Sequence, residues 1–585
     1  MPRALLAPLF ALLLTTAALA QNNAVPFLNQ PLIPDSVHPG NPAFALTVTG
    51  TGFVSGATVN WNGSPRTTTF VSSHKLQAAI TAADVAQAGT ASVTVVNPSP
   101  GGGASNVVYF PIQYSRAAVA FARRDTPLTV TGGSTSLLQG LVAADFNNDG
   151  KVDLALAWCC DTSDEGEIDI WLGNGNGTFQ SPVVTSVPFE FNSLVAGDFN
   201  GDGNLDLAIA QPVVGGGGGC PTPYLYAYLG TGDGHLNVAP GGGQVVGWPL
   251  ATADFNGDGH LDLVTTSTDY GCDTWFPAVN LGNGDGSFGD PIRVASLYLY
   301  STPAIGDFNR DGKLDLAFAD SSNGTMDVFL GNGDGTFQKP LYTTLTYFAV
   351  SAAAADLTLD GRLDIVTNGV DILRGQGNGK FIDLPGPPAD GSGLGFLQLA
   401  ELNSDRKLDA ALFSQGVVTL LGNGNYSFQD PQTWWSGEYL GGGVVPVYFG
   451  IADFYGDGML GFAVADADAL TQEPVLSIFR QTTLGVSPTF ENFGPVKVGQ
   501  SSAPQTVALS NIGNVALPLS IQITKKPKNY TQTNNCGTSL APGGTCTVSI
   551  TFSPQGKGVI TSVVEVKYPG GLGSPQYIEL WGNGQ

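Results

Sequence analysis

Residues Asp145–Asp153 read DFNNDGKVD, and the phrase returns as DFNGDGNLD at Asp198–Asp206, DFNGDGHLD at Asp254–Asp262 and DFNRDGKLD at Asp307–Asp315. Looser copies follow: DLTLDGRLD at Asp356–Asp364, ELNSDRKLD at Glu401–Asp409 and DFYGDGMLG at Asp453–Gly461. Copies that recur about every fifty residues have the period of a repeat fold such as a propeller. In the full copies, oxygen-bearing side chains fall at positions one, three, five and nine. Calcium takes roughly six to eight oxygens in a flexible cage, and a short loop can supply most of them.

In the first copy Asp145, Asn147, Asp149 and Asp153 would turn side-chain oxygens inward, and the carbonyl of Lys151 would add another. Gly150 stands where the chain must turn sharply. The same reading gives Asp198, Asn200, Asp202, Asn204 and Asp206 in the second copy. It gives Asp254, Asn256, Asp258, His260 and Asp262 in the third, and Asp307, Asn309, Asp311, Lys313 and Asp315 in the fourth. Position seven contributes its backbone carbonyl, so His260 is not read as an imidazole ligand. In the fifth copy Asp356, Asp360, Asp364 and the carbonyl of Arg362 remain, but Thr358 replaces the Asn. The sixth keeps Glu401, Asn403, Asp405 and Asp409 but has Arg406 where glycine belongs, which leaves its occupancy open. The seventh has Tyr455 and Gly461 at two ligand positions and is expected to be empty or weak. About four to five calcium ions are expected in all. The competing reading is a set of acidic turns with no ion, since Asp, Asn and Gly favour turns. Against it, bare loops would crowd carboxylates together at a cost.

The runs beside the first loop, LVAA before and LALAW after, read as buried strands. A second phrase follows each loop: LGNGNGTF at Leu172–Phe179, LGTGDGHL at Leu229–Leu236, LGNGDGSF at Leu281–Phe288 and LGNGDGTF at Leu330–Phe337. Looser forms are LRGQGNGKF at Leu373–Phe381 and LGNGNYSF at Leu421–Phe428. Their Gly and Asn residues suit tight hairpins. Each period then holds four strands, the blade of a propeller. Together the two phrases closely resemble the FG-GAP/VCBS repeat family, which includes the integrin α-chain propeller. The resemblance implies a seven-bladed propeller over 115–482, with calcium in the acidic loops. The seventh period lacks the second phrase, so residues 118–130 are expected to complete blade seven and remove an exposed edge.

The chain has 585 residues, 79 of them glycine, with 12% charged residues and a net charge of −25. Its length calls for several domains. Its short apolar runs between Gly, Asn, Pro and Asp call for an all-β protein. An acidic surface repels phosphate backbones, so nucleic acid is not an expected partner. Residues 1–20 read as a signal peptide: Arg3, an apolar run from Leu5 to Leu14, and Ala18-Leu19-Ala20 before Gln21. No later stretch is long and apolar enough to cross a bilayer as a helix. The protein is therefore expected to be secreted or held at the cell surface.

Residues 21–114 alternate in AFALTVTGTGF (43–53), and LTVTGTGFVSGATVNWNG resembles the IPT/TIG type of immunoglobulin-like sandwich. Residues 483–585 contain VSPTFENFGPVKVGQSSAPQTVALSNIGN and LAPGGTCTVSITFSP, which resemble the ASH/SPD-2/hydin immunoglobulin-like family. Both imply spacer or attachment modules. Cys536 and Cys546 are expected to pair. Cys159, Cys160, Cys220 and Cys272 fall in loops between strands two and three, where three pairings are open. Zinc is the runner-up there, but no C-x-x-C is present.

Four scattered histidines (His38, His74, His235, His260) and the absence of H-E-x-x-H, G-x-S-x-G and phosphate-loop motifs leave no catalytic constellation to read. A non-catalytic adhesion or ligand-binding protein with structural calcium is the preferred reading. Its partner would be a protein or glycan at the cell surface. The alternative is a lectin, or a polysaccharide lyase or hydrolase, because such an enzyme needs only two carboxylates in a cleft. Binding is expected on the face away from the acidic loops. That face carries Asp161, Asp164, Glu165, Glu167, the run Gly215–Gly219, and aromatics such as Trp158, Trp248, Tyr270, Trp275, Tyr298, Tyr300, Trp434 and Trp435.

Overall fold

In the computed structural model, described residues run from 22 to 585, apart from 117, 129–136, 160–165, 190, 215–220, 241–243, 246, 269–274, 296–300, 387–394, 414–415, 437–448, 468–473, 514 and 572. The expected signal peptide, Cys160, Cys220, Cys272, the acidic loop 161–165, the glycine run, Tyr270, Tyr298 and Tyr300 all lie outside them. So do the side chains of Cys159, Trp275 and Trp435.

Every regular element among the described residues is a β-strand. Among those residues no helix is long and apolar enough to cross a membrane. Alternating burial gives the N-terminal sandwich its two faces: Lys75–Ile80 reads exposed, buried, exposed, buried, and Phe44–Thr51 buries Leu46 and Val48. Its two sheets enclose a core around Trp61, Phe110 and Leu76. The C-terminal sandwich repeats the plan around Tyr530, Phe552 and Val548, with Cys536 bonded to Cys546 at its edge.

Between them stand seven sheets with four antiparallel strands along each path. Blade one runs Leu137–Ala144, Asp153–Cys159, Gly166–Trp171 and Val183–Val187. Blade seven takes three strands from Phe449–Gln481, and its outer strand is Phe121–Pro127, paired antiparallel with Pro474–Gln481. The second strands are buried on both faces, as Asp315–Asp320 and Asp409–Phe413 show throughout their lengths. Such strands read as continuous apolar runs because both faces meet a neighbouring blade.

A separate core cluster fills each joint between adjacent blades. The joint between blades seven and one closes the ring with Phe454, Ile478, Leu141 and Trp158. One contact recurs around the ring. The phenylalanine at position two of an acidic loop meets the phenylalanine ending the second phrase of the next blade. The pairs are Phe199–Phe288 at 5.3 Å, Phe255–Phe337 at 5.8 Å, Phe308–Phe381 at 5.5 Å and Phe454–Phe179 at 6.5 Å between centroids. These edge-on aromatic pairs form where blade tips must mesh.

The first glycine of the second phrase has no room for a side chain. A Cβ on Gly331 would lie 2.1 Å from the Leu314 carbonyl oxygen, and one on Gly375 2.0 Å from that of Leu363. Gly331→Ala is expected to destabilise the propeller by ~2–4 kcal/mol through forced backbone displacement. Gly556→Ala, with nothing within 4 Å of the added Cβ, is expected to leave the melt unchanged. Thermal unfolding of the two variants checks this.

Candidate functional site: the acidic-loop rim

Each acidic loop is wound by its own side chains around backbone N–H groups. In the first, Asp149 N–H donates to Asp145 Oδ1 (3.1 Å) and Asn147 Oδ1 (3.0 Å), Gly150 N–H to Asp145 Oδ2 (2.8 Å), and Lys151 N–H to Asp149 Oδ1 (2.9 Å). The second loop repeats this through Asp198, Asn200 and Asp202. The third does so through Asp254, Asn256 and Asp258, and the fourth through Asp307, Asn309 and Asp311. The bonds hold positions one, three and five turned into the loop. Lys151, Asn204, His260 and Lys313 stand at position seven and donate their N–H to position five. The fifth loop keeps the pattern with Asp356, Asp360 and Arg362 but has no position-three acceptor bond from Thr358, whose hydroxyl meets that of Tyr426 at 2.9 Å.

The chain turns left-handed at two places in the loop. Position six does so as expected, with Gly150 at φ 81° and Gly312 at φ 88°. Position four does so too, including at Asn148, Arg310 and Leu359 (φ 58°, 66° and 59°), which the sequence reading missed because its residue type varies. Arg406 adopts φ 66° at position six of the sixth loop, a strained conformation for a side chain with a Cβ.

Position nine does something the spacing did not reveal. Asp153, Asp206, Asp262, Asp315, Asp364 and Asp409 are fully buried. In each, one carboxylate oxygen accepts the N–H of position two and the other accepts the N–H of the first glycine in the second phrase. For Asp153 these are Phe146 (2.9 Å) and Gly173 (2.7 Å); for Asp262 they are Phe255 (2.8 Å) and Gly282 (2.9 Å). This carboxylate ties the two repeated turns together. Burial drives its pKa up, to about 6 in Asp153 and Asp206, about 7 in Asp315 and Asp364, and about 8 in Asp262. The two N–H groups oppose that rise, and the carboxylates at positions one and five add to it.

Each of the first four loops therefore offers carboxylates at positions one and five, an amide oxygen at three and a carbonyl at seven, with the third carboxylate engaged below. Among the described residues no group of three or more His, Cys, Asp and Glu side chains stands ready to hold a metal ion. A cation in these loops would lean on the Asn and carbonyl oxygens as well. That mixed, all-oxygen set suits a hard ion.

In the sixth and seventh loops a cationic side chain pairs with position five. Lys407 Nζ stands 3.3 Å from Asp405 Oδ2, and the Arg480 guanidinium lies 2.9 Å from Asp457 Oδ2 and over the Tyr455 ring. Lys151 and Arg362 also reach position five in loops one and five, from exposed positions.

The N-terminal sandwich rests on this rim. Val25 N–H donates to Asp254 Oδ2 (2.8 Å), Asp356 N–H to the Gln30 carbonyl (2.9 Å), and Arg116 N–H to the Asn403 carbonyl (2.8 Å). His74 Nε2 stands 3.3 Å from Asp307 Oδ2. Tyr109 is half-buried near Asp145 and Asp453, and its hydroxyl pKa is pushed up to about 12, by desolvation first and then by their charge. Under the sandwich lies a cavity of about 300 Å³, lined in part by the inner strands of blades five and six.

Of the aromatics expected on the far face, Trp158 is instead buried in the joint between blades seven and one. Trp434 is half-buried against Phe121, with its Nε1–H on Thr419 Oγ1 at 2.9 Å. Large apolar side chains gain more from such joints than from solvent.

Comparison with known proteins agrees with this architecture. The FG-GAP-like repeat matches residues 145–209 and 307–367, and the FG-GAP repeat matches 246–287. The IPT/TIG domain matches 32–112, and Cep192 domain 4 matches 481–585. Phosphatidylinositol-glycan-specific phospholipase D of Rattus norvegicus is 30% identical over 151 residues, 22% of this chain and 18% of that protein. The chain thus spans less than a fifth of the length of the curated relatives it matches. Among solved structures, PapD-like domain 7 of human CEP192 is 18% identical, covering 18% of this chain and 86% of that one at a TM-score of 0.15. A rhamnogalacturonan lyase of Bacillus licheniformis is 15% identical, covering 78% and 91% at a TM-score of 0.33.

The raised position-nine carboxyls set a direction for pH dependence. A carboxyl whose folded pKa lies above its unfolded value contributes stability that is full below about pH 4 and is lost as pH rises through the folded pKa. With values of about 6 to 8, the window is about pH 4 to 8. The calcium-free propeller is expected to melt at a lower temperature at pH 8 than at pH 5, as differential scanning calorimetry would register.

Proposed function

We propose that this is an exported binding protein whose propeller is held in shape by calcium in its first five acidic loops. The observation that carries this reading is the shared hydrogen-bond pattern of four loops. The same backbone N–H groups bond positions one, three and five in each, so that the same oxygen-bearing side chains are turned into the loop four times over. In this reading the ions are held by Asp145, Asn147, Asp149 and the Lys151 carbonyl, and by their counterparts through Asp311 and Lys313. A less complete set in the fifth loop uses Asp356, Asp360 and the Arg362 carbonyl. The position-nine carboxylates lie behind each ion. Calcium supplies the positive charge that the crowded carboxylates otherwise lack.

Adhesion or ligand capture follows from what the molecule leaves open. The chain's own N-terminal sandwich stands on the acidic rim at the third to sixth loops, so a protein or glycan at the cell surface would be met by the opposite face of the ring. Two immunoglobulin-like modules flanking a rigid ring suit presentation better than turnover. The disulfide between Cys536 and Cys546 fits an oxidising, extracellular setting.

Removal of calcium by a chelator is expected to lower the melting temperature of the propeller by many degrees. The double variant Asp149→Ala with Asp202→Ala is expected to melt lower at the outset and to lose less on chelation. An identical melt for wild type with and without chelator would sink the structural role of calcium.

A further inference from the structure

The sixth acidic loop meets a carboxyl side chain of the N-terminal sandwich. Asp35 and Glu401 are both more than nine-tenths buried, and their carboxyl groups touch across the seam between the domains. Asp35 Oδ1 has no hydrogen-bond partner. Glu401 Oε1 accepts Asp405 N–H at 3.2 Å and its Oε2 accepts Lys407 N–H at 3.0 Å, which fixes the glutamate in place. Both acids line the cavity of about 300 Å³ under the sandwich, together with Gln30, Gln398 and Tyr109; the rest of the wall is largely apolar.

Two buried carboxyls in contact cannot both ionise unless a positive charge joins them. The charges acting on the pair are mostly of the wrong sign: Asp405 and Asp409 repel it, and Arg406 alone attracts. A shared proton would satisfy one oxygen of Asp35 and leave Oδ1 buried and bare, at the cost of a lost hydrogen bond. A cation, with its own waters in the cavity, would satisfy both.

We propose that Asp35 and Glu401 form an interdomain site for a hard divalent cation of the calcium class, completed by the amide oxygens of Gln30 and Gln398 and by water. The ion clamps the N-terminal sandwich to blade six. The site is separate from the first five loops, since it needs a ligand from the other domain and uses none of theirs.

Native mass spectrometry of the whole chain, stripped with chelator and reloaded with calcium, tests this. Asp35→Asn and Glu401→Gln are each expected to hold one ion fewer than wild type, and Asp149→Ala to lose a different one, so that Asp35→Asn with Asp149→Ala loses two. If both seam variants hold the wild-type number, the pair shares a proton only and the proposal is wrong, whatever the other loops bind. A wild type that binds no ion overturns both this site and the five-loop reading. Melts in chelator guard against misfolding. Removing one charge from a repelled pair should leave the melting temperature equal to or above wild type. A drop of about ten degrees or more would make the carboxyls structural struts and overturn the cation assignment.

Discussion

The buried carboxylate at position nine is the interaction on which the ring depends. It accepts one N–H from the start of its own loop and one from the turn between strands three and four, and in six blades it is fully buried. Hydrogen bonds to a charged group are worth about 1.5–3 kcal/mol each, so this side chain fixes two turns at once. It also explains why the two repeated phrases travel together along the chain. The Asp needs a bare N–H at close range, and only a glycine lets the second turn approach the strand so nearly: a Cβ on Gly173 would stand 2.0 Å from the Val152 carbonyl oxygen.

The same feature creates the electrostatic problem that the rest of the rim answers. Burying a carboxylate beside two others raises its pKa, and the blades answer with positive charge. Lys151 and Arg362 reach over positions five of their loops. Blade seven shows the alternative. There Gly461 takes the place of the position-nine carboxylate, Arg480 neutralises Asp457, and Gln481 Nε2 bonds the carbonyls of Leu402 (2.9 Å) and Leu460 (2.8 Å). The blade closed by an N-terminal strand has thus exchanged a carboxylate latch for a guanidinium and an amide. Its joint to blade one still repeats the common contacts, Phe454 on Phe179 and Gly177 N–H on the Phe454 carbonyl at 2.8 Å.

The all-β class, the repeat and the two flanking sandwiches were legible because each rests on a short local pattern: alternation in Phe44–Thr51, paired turn phrases every blade, and the Cys536–Cys546 spacing. The repeated spacing of the oxygen-bearing positions one, three and five was legible for the same reason. What was not legible depends on contacts far apart in sequence. The second role of Asp153 lies in an N–H twenty residues on. The left-handed turn at position four is taken by Asn148, Arg310 and Leu359 alike, because the amide bond from position five to position one, common to the three loops, imposes it on whatever residue stands there. The seating of the N-terminal sandwich rests on Val25, Gln30, His74 and Arg116, single residues in no motif, three of them reaching the rim through backbone atoms.

That seating changes what the acidic rim can be. A ring of carboxylates open to solvent would be a surface for cationic partners. Here Val25 N–H occupies a lone pair of Asp254, the Gln30 carbonyl takes the N–H of Asp356, and Tyr109 fills the space near Asp145 and Asp453. At the third to sixth loops the rim is an internal interface on which one sandwich stands, while the tips of the first two loops stay exposed. On the opposite face the turn after Asp320 satisfies itself: Asp320 accepts from Ser322 and Asn323 through both backbone and side chains, and burial there is outweighed by those bonds, which hold its pKa below the usual value. A turn that needs no ion and no second domain is free to vary its neighbours. Sequence can therefore change at such a turn without disturbing the carboxylates that keep the blades in register.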